Sequence, residues 1–152
     1  MADLLVPLYG LPQLRGVDGV LTARPLPHQA PRVLRFIEDT FSAAWAAESG
    51  VAFQAMPPTM HVSSDEGTGK ILGFCCWDCT ARGLLGPVGT VEQARGRGIG
   101  RELVLKVLNS MREAGYAYAV VGDAGPVEFF QKICNAYPIP DSSLRVGRKF
   151  VK

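Results

Sequence analysis

A formal charge of only +2 over 152 residues, from 16 Lys and Arg against 14 Asp and Glu, offers little to nucleic acid. A general polyanion binder concentrates more basic charge than this on one face. Long apolar runs are missing as well, with no stretch near the ~20 apolar residues needed to span a bilayer. The opening MADLLVPLYGLP has no basic start and is interrupted by Pro7 and Pro12, so it does not read as a signal peptide. Cysteine is scarce: four residues at irregular positions, which fits a cytoplasmic protein. Cys76 and Cys79 form one CxxC, and no second pair completes a structural zinc set. On a strand, Cys75, Trp77 and Cys79 face one way and Cys76 the other, so the expectation is small apolar strand residues and no metal. His28 and His61 have no readable partners and read as structural.

What is present suits one folded domain. Apolar residues make up 47% and charged residues 20%, far from a disordered composition. Residues 1–19 read as a lead-in punctuated by proline and glycine, with a short strand at Leu4–Leu8, and residues 20–152 as the domain proper. GVLTARPL (Gly19–Leu26) has the content of a strand, which ends at Pro25. Leu34, Ile37, Phe41 and Trp45 then recur at helical spacing from Pro31 to Gly50, which predicts one helix. TMHVSS and KILGFCCWDC predict a hairpin around DEGTG. The strand LLGPVGTVE carries Gly86, Pro87 and Gly89, which predict a bulge or an opening in the sheet. Ile99, Leu103, Val107 and Met111 form the stripe of a further helix. YAYAVVG reads as a buried strand, and a last helix runs from Gly125-Pro126 through Phe130, Ile133 and Tyr137. The tail from Ser143 reads as an edge strand. This order predicts an α/β domain with a mixed, mostly antiparallel sheet.

The stretch QARGRGIGRELVLKVL, Gln93 to Leu108, places three glycines and three arginines at the start of that helix. A helix N-terminus has unpaired N–H groups and carries about half a positive charge. Glycines let successive amides turn towards one centre, so the local physics favours a phosphate or pyrophosphate. Neither familiar phosphate loop fits. No Lys-Ser or Lys-Thr follows as a P-loop requires, and the G-x-G-x-x-G count from Gly96 meets Arg101 where the third glycine belongs. RGRG as an RNA-binding tract is disfavoured because it opens an amphipathic helix and not a disordered stretch.

The spacing that fits is R-x-x-G-x-G, filled by Arg95, Gly98 and Gly100. With the strand before it and the helix after it, this resembles the acetyl-CoA-binding motif of the GNAT N-acetyltransferase superfamily. VLTARPLPHQAPRVLRFI, KILGFCCWD, LLGPVGTVE and PVEFFQKI resemble further family segments in the same order, and the resemblance runs from about Val20 to the C-terminus. It implies that Arg95, Gly96, Arg97, Gly98, Ile99, Gly100 and Arg101 cradle the pyrophosphate of acetyl-CoA. It also implies that the backbone of Val88, Gly89 and Thr90 pairs with the pantetheine arm as an added strand. An amide of that strand would polarise the thioester, and a small-molecule or peptide amine would attack directly. Dimers are common in the family, and the C-terminal segment leaves room for strand sharing between chains.

The resemblance also sets Phe130, a cofactor-side residue, where the family often has the tyrosine that protonates the leaving thiolate. Tyr137 or Tyr9 are the candidates to replace it, or the thiolate leaves unaided. The same position keeps open a second reading, a catalytically silent acyl-CoA-binding sensor. Asp123 stands where the family tends to have asparagine. It reads as a contact to the cofactor arm, as a proton acceptor for the amine, or as the N-cap of the helix at Gly125-Pro126. Glu92 is a weaker candidate base. Trp45 reads as core or as a pocket wall.

Overall fold

The structure, a computed structural model, describes residues 2–142. Seven strands form one sheet: β1 (Leu4–Pro7), β2 (Val20–Ala23), β3 (Met60–Asp65), β4 (Ile71–Trp77), β5 (Leu84–Thr90), β6 (Tyr118–Val121) and β7 (Tyr137–Pro138). Their spatial order is β2-β3-β4-β5-β6-β1-β7. Every neighbouring pair is antiparallel except β5 and β6, which run parallel. Four helices, α1 (Ala30–Thr40), α2 (Ala43–Ser49), α3 (Ile99–Glu113) and α4 (Val127–Cys134), complete the mixed α/β architecture. None of them is long and apolar enough to cross a membrane.

Strand alternation sorts the core into two layers. Cys75 and Trp77 point to the face where α3 lays down Ile99, Leu103, Val107 and Met111. Phe74 and Cys76 point to the other, under Val33 and Ile37 of α1 and Ala46 of α2. The lead-in belongs to the sheet. β1 lies between β6 and β7, pairing Leu4 with Val121 and Leu5 with Tyr137, and Leu4, Val6 and Leu8 are fully buried.

Three sequence expectations are corrected. The helix predicted from Pro31 to Gly50 is two helices. Ser42 is extended, and its Oγ accepts the Trp45 N–H at 3.0 Å as the N-cap of α2. The break turns Phe41 onto the sheet among Phe36, Trp45 and Phe74. The last helix stops at Cys134, where Asn135 takes the left-handed conformation (φ +57°) common at helix ends. Tyr137 is therefore on a strand. Cys76 and Cys79 also share a face: β4 ends at Trp77, and Asp78 (φ +57°) turns the chain back. Burial holds the Cys76 thiol well above its usual range, and its hydrogen bond to Cys79 lowers the Cys79 thiol. No three metal-capable side chains cluster among the described residues. The predicted edge strand in 143–152 lies outside them.

His61 on β3 is buried against α3. Its Nε2 lies 2.9 Å from Ser110 Oγ, and its ring stacks on Trp77 at 5.7 Å. Burial, with help from Arg24 and Lys106, pushes its pKa down to about 4. An unfolded histidine titrates near ~6.5, so on acidification the unfolded chain takes up the proton first. The stabilising effect of neutral His61 is complete above ~6.5 and is lost as pH falls towards 4. Between pH 7 and 4 the wild type should lose about 3 kcal/mol more stability than His61→Gln, read from urea melts at each pH.

Candidate functional site

The site begins where two strands separate. β5 pairs with β6 only at Leu84↔Val120 and Leu85↔Val121. On its other side, Val88, Gly89 and Thr90 stay paired with Cys75, Phe74 and Gly73 of β4. Between Leu85 and Val88 the register shifts, so Gly86 and Pro87 together oppose Cys76. That extra residue is a β-bulge, and it bends β5 away from β6. Gly86 sits at φ +125°, a conformation that favours glycine.

The bend exposes a row of backbone groups. The Val91 N–H donates to Leu72 O at 2.8 Å, which fixes the alternation: odd positions face β4, and Val88 and Thr90 face away from it. Among the described residues no strand meets that outer edge beyond Leu85. Gly89 keeps the strand flat against its helix layer. A Cβ there would lie 2.5 Å from the Phe41 ring.

At the end of this edge stands the glycine loop. Gly96 and Gly98 have φ of +85° and +86°, and Gly98 is the N-cap of α3. Left-handed backbone at both positions turns consecutive N–H groups outward. The amides of residues 96–101 have no acceptor among the described residues. Ile99 anchors the loop in the core, while the Arg95 and Arg97 side chains remain exposed. Arg101 is turned elsewhere: its guanidinium donates to Gln13 O at 3.0 Å and to Glu102 at 3.4 Å. Buried Glu102 in turn accepts the N–H groups of Gly16 and Arg15, strapping the lead-in beside α3.

A cleft of about 380 Å³ opens between the parted strands. Pro87, Val88 and Phe130 form its apolar wall, Trp45 stands at its α2 side, and Asp3, Glu48 and Asp123 line it with carboxylates. Phe130 is buried, and its neighbour Phe129 lies 3.5 Å from where a Cβ on Gly100 would be. Their rings, 5.1 Å apart, therefore connect the cleft with the helix N-terminus. Asp123 (φ +49°) donates its N–H to Asp3 Oδ1 at 2.9 Å. It is not the helix cap, because the residue before α4 is Pro126. Tyr137 and Tyr9 do not line the cleft: both are exposed, Tyr137 on β7 and Tyr9 bonded to the Tyr118 hydroxyl. Glu92 follows β5 as an exposed residue of a short 3-10 turn. Asp3, Glu48 and Thr80 were missed in the sequence because each reaches the cleft from a different, distant segment.

A model of the acetyltransferase (GNAT) family matches residues 30–135. The chain belongs to the GNAT acetyltransferase family. No curated protein matches it. Among solved structures, a GNAT family N-acetyltransferase from Escherichia coli in complex with CoA is 25% identical, with a TM-score of 0.58 over 78% of this chain and 69% of that one. A GNAT family acetyltransferase from Brucella melitensis in complex with acetyl-CoA is 23% identical, with a TM-score of 0.56 over 73% of this chain and 80% of that one. The glucosamine N-acetyltransferase region of a fungal multi-domain beta-N-acetylglucosaminidase shares the fold at a TM-score of 0.73 and 14% identity, over 91% of this chain. The chain spans only 19% of that fungal protein, and 46% of a Sphaerobacter thermophilus N-acetyltransferase of like fold.

The contact between Gly89 and Phe41 gives a direct test of the packing that presents the strand edge. Gly89→Ala should cost about 1–3 kcal/mol in a urea melt, the usual range for overpacking. Phe41→Leu in that background should recover part of the loss.

Proposed function

We propose that the chain is an N-acetyltransferase that carries an acetyl group from acetyl-CoA to an amine. The observation that carries this reading is the run of six consecutive amides, residues 96–101, at the N-terminus of α3, without acceptors among the described residues. Amides in this arrangement, with the helix dipole behind them and two exposed arginines at the rim, suit a pyrophosphate. The open edge at Val88 and Thr90 leads from there towards the cleft and suits an extended, amide-bearing arm. Neighbours in this family with CoA or acetyl-CoA bound support the same ligand.

Acetyl-CoA, when bound, supplies an electrophilic thioester carbon and a thiolate leaving group. An N–H of the β5 edge would donate to the carbonyl oxygen and stabilise the negative charge that grows there. The new bond joins the amine nitrogen to the carbonyl carbon, and the carbon–sulfur bond breaks. An ammonium acceptor must lose one proton before attack, and Asp123 in the cleft takes it directly or through water. The second proton is lost as the amide forms and ends on the thiolate. Phe130 cannot deliver it, and no tyrosine among the described residues lines the cleft. A thiol of ordinary acidity leaves adequately near neutral pH, so solvent serves for that transfer.

Calorimetric titration with acetyl-CoA tests the cofactor half of the proposal. Micromolar affinity is expected, about −8 kcal/mol. Gly98→Glu, which sets a carboxylate among the open amides, should abolish binding while leaving the far-UV circular dichroism spectrum unchanged. Absence of heat with the wild type at millimolar ligand would overturn the reading.

A further inference from the structure

The chemistry of the cleft names the class of acceptor, an inference that rests on the acetyl-transfer reading. Three carboxylates line it, and they come from three separate parts of the chain: Asp3 before β1, Glu48 on α2 and Asp123 after β6. Among the described residues no Lys, Arg or His lines the cleft. Among the described residues none of the three carboxylates is in a salt bridge, the one ion pair there being Arg101–Glu102. Their recorded partners are neutral: Asp3 Oδ1 accepts the Asp123 N–H, and Glu48 Oε1 accepts the Thr80 hydroxyl. Uncompensated carboxylates in a partly enclosed space repel one another and gain most from a multivalent cation.

The walls add direction. Asp3 and Asp123 are tied together at the end of the cleft where β6 turns towards α4. Glu48 and Trp45, three residues apart on α2, both line the cleft from that side. An indole face attracts a cation, and with a carboxylate alongside it forms a second cationic subsite. A volume of about 380 Å³ lies in the range of small-molecule pockets. We infer that the acceptor is a small dication, an aliphatic diamine or an amine bearing a second cationic group. Its reacting nitrogen sits at Asp123, and its other charge sits between Glu48 and Trp45. Acetylation removes one of the two charges, so the product binds more weakly than the substrate and release is favoured.

The test compares 1,4-diaminobutane with 4-amino-1-butanol, equal in length and differing in one charge. With acetyl-CoA present and free thiol as readout, kcat/KM for the diamine should exceed that for the amino alcohol at least ~30-fold in low salt. The ratio should shrink with added salt. Glu48→Gln should reduce the ratio about tenfold through the KM of the diamine. Equal kcat/KM for the two amines, or a ratio untouched by Glu48→Gln, would overturn the assignment and leave acetyl transfer standing. Calorimetry of each amine without acetyl-CoA separates the two failures. If the diamine binds, the amino alcohol does not, and acetyl-CoA gives no heat, the dicationic site survives and the acetyltransferase reading falls. If neither amine is preferred in binding or turnover, the dicationic site falls.

Discussion

The parting of β5 from β6 after two residue pairs is the constraint on which the rest of the site depends. Parallel neighbours ordinarily continue their ladder, and a buried strand edge without partners is costly. Here the ladder ends at the bulge of Gly86 and Pro87, where the extra residue bends the strand and disrupts its pairing. Two consequences follow from that single bend. The outer backbone groups of Val88 and Thr90 meet no further strand among the described residues, and the wedge between the strands becomes a cleft. The flanking elements then hold the wedge open: Phe41 presses on Gly89 from one face, while α3 supports Gly73 and Thr90 from the other.

The charges are divided along that wedge. Open amides and the exposed Arg95 and Arg97 occupy the α3 end, and three carboxylates occupy the end formed by α2, β6 and the start of β1. A ligand with an anionic tail and a reactive head is oriented by this division before any specific contact forms. The same division suits an ammonium acceptor entering from the opposite side. The lead-in segment contributes at both ends. Its Asp3 holds the turn at Asp123, and its Arg15–Gly16 amides are bound by Glu102 in the first turn of α3.

The glycine loop was legible in the sequence because its information is local. Glycines at 96 and 98 and the apolar stripe from Ile99 declare a turn and a helix start within a few residues, and backbone freedom is a property of the residue itself. The bulge was legible for the same reason, since glycine and proline weaken a ladder wherever they stand. The destination of the lead-in was not. Pairing Leu4 with Val121 joins residues more than a hundred positions apart, and no local pattern specifies it. The break after Thr40 escaped because the helical spacing continues through Phe41 and Trp45; the extended Ser42 that caps α2 interrupts the helix without interrupting that spacing. The turn at Asp78 likewise overrode the strand alternation that had set Cys76 and Cys79 apart.

Residue-resolved nuclear magnetic resonance of the amides, with CoA added in place of acetyl-CoA so that no turnover intervenes, tests the central claim most directly. The account predicts that the N–H signals of residues 96–101, with those of Val88 and Thr90, shift together and saturate with one affinity, and that their hydrogen exchange slows. Saturable shifts confined to other surfaces, with these amides unchanged, would show that the open backbone at the parted strands is not where the ligand is held.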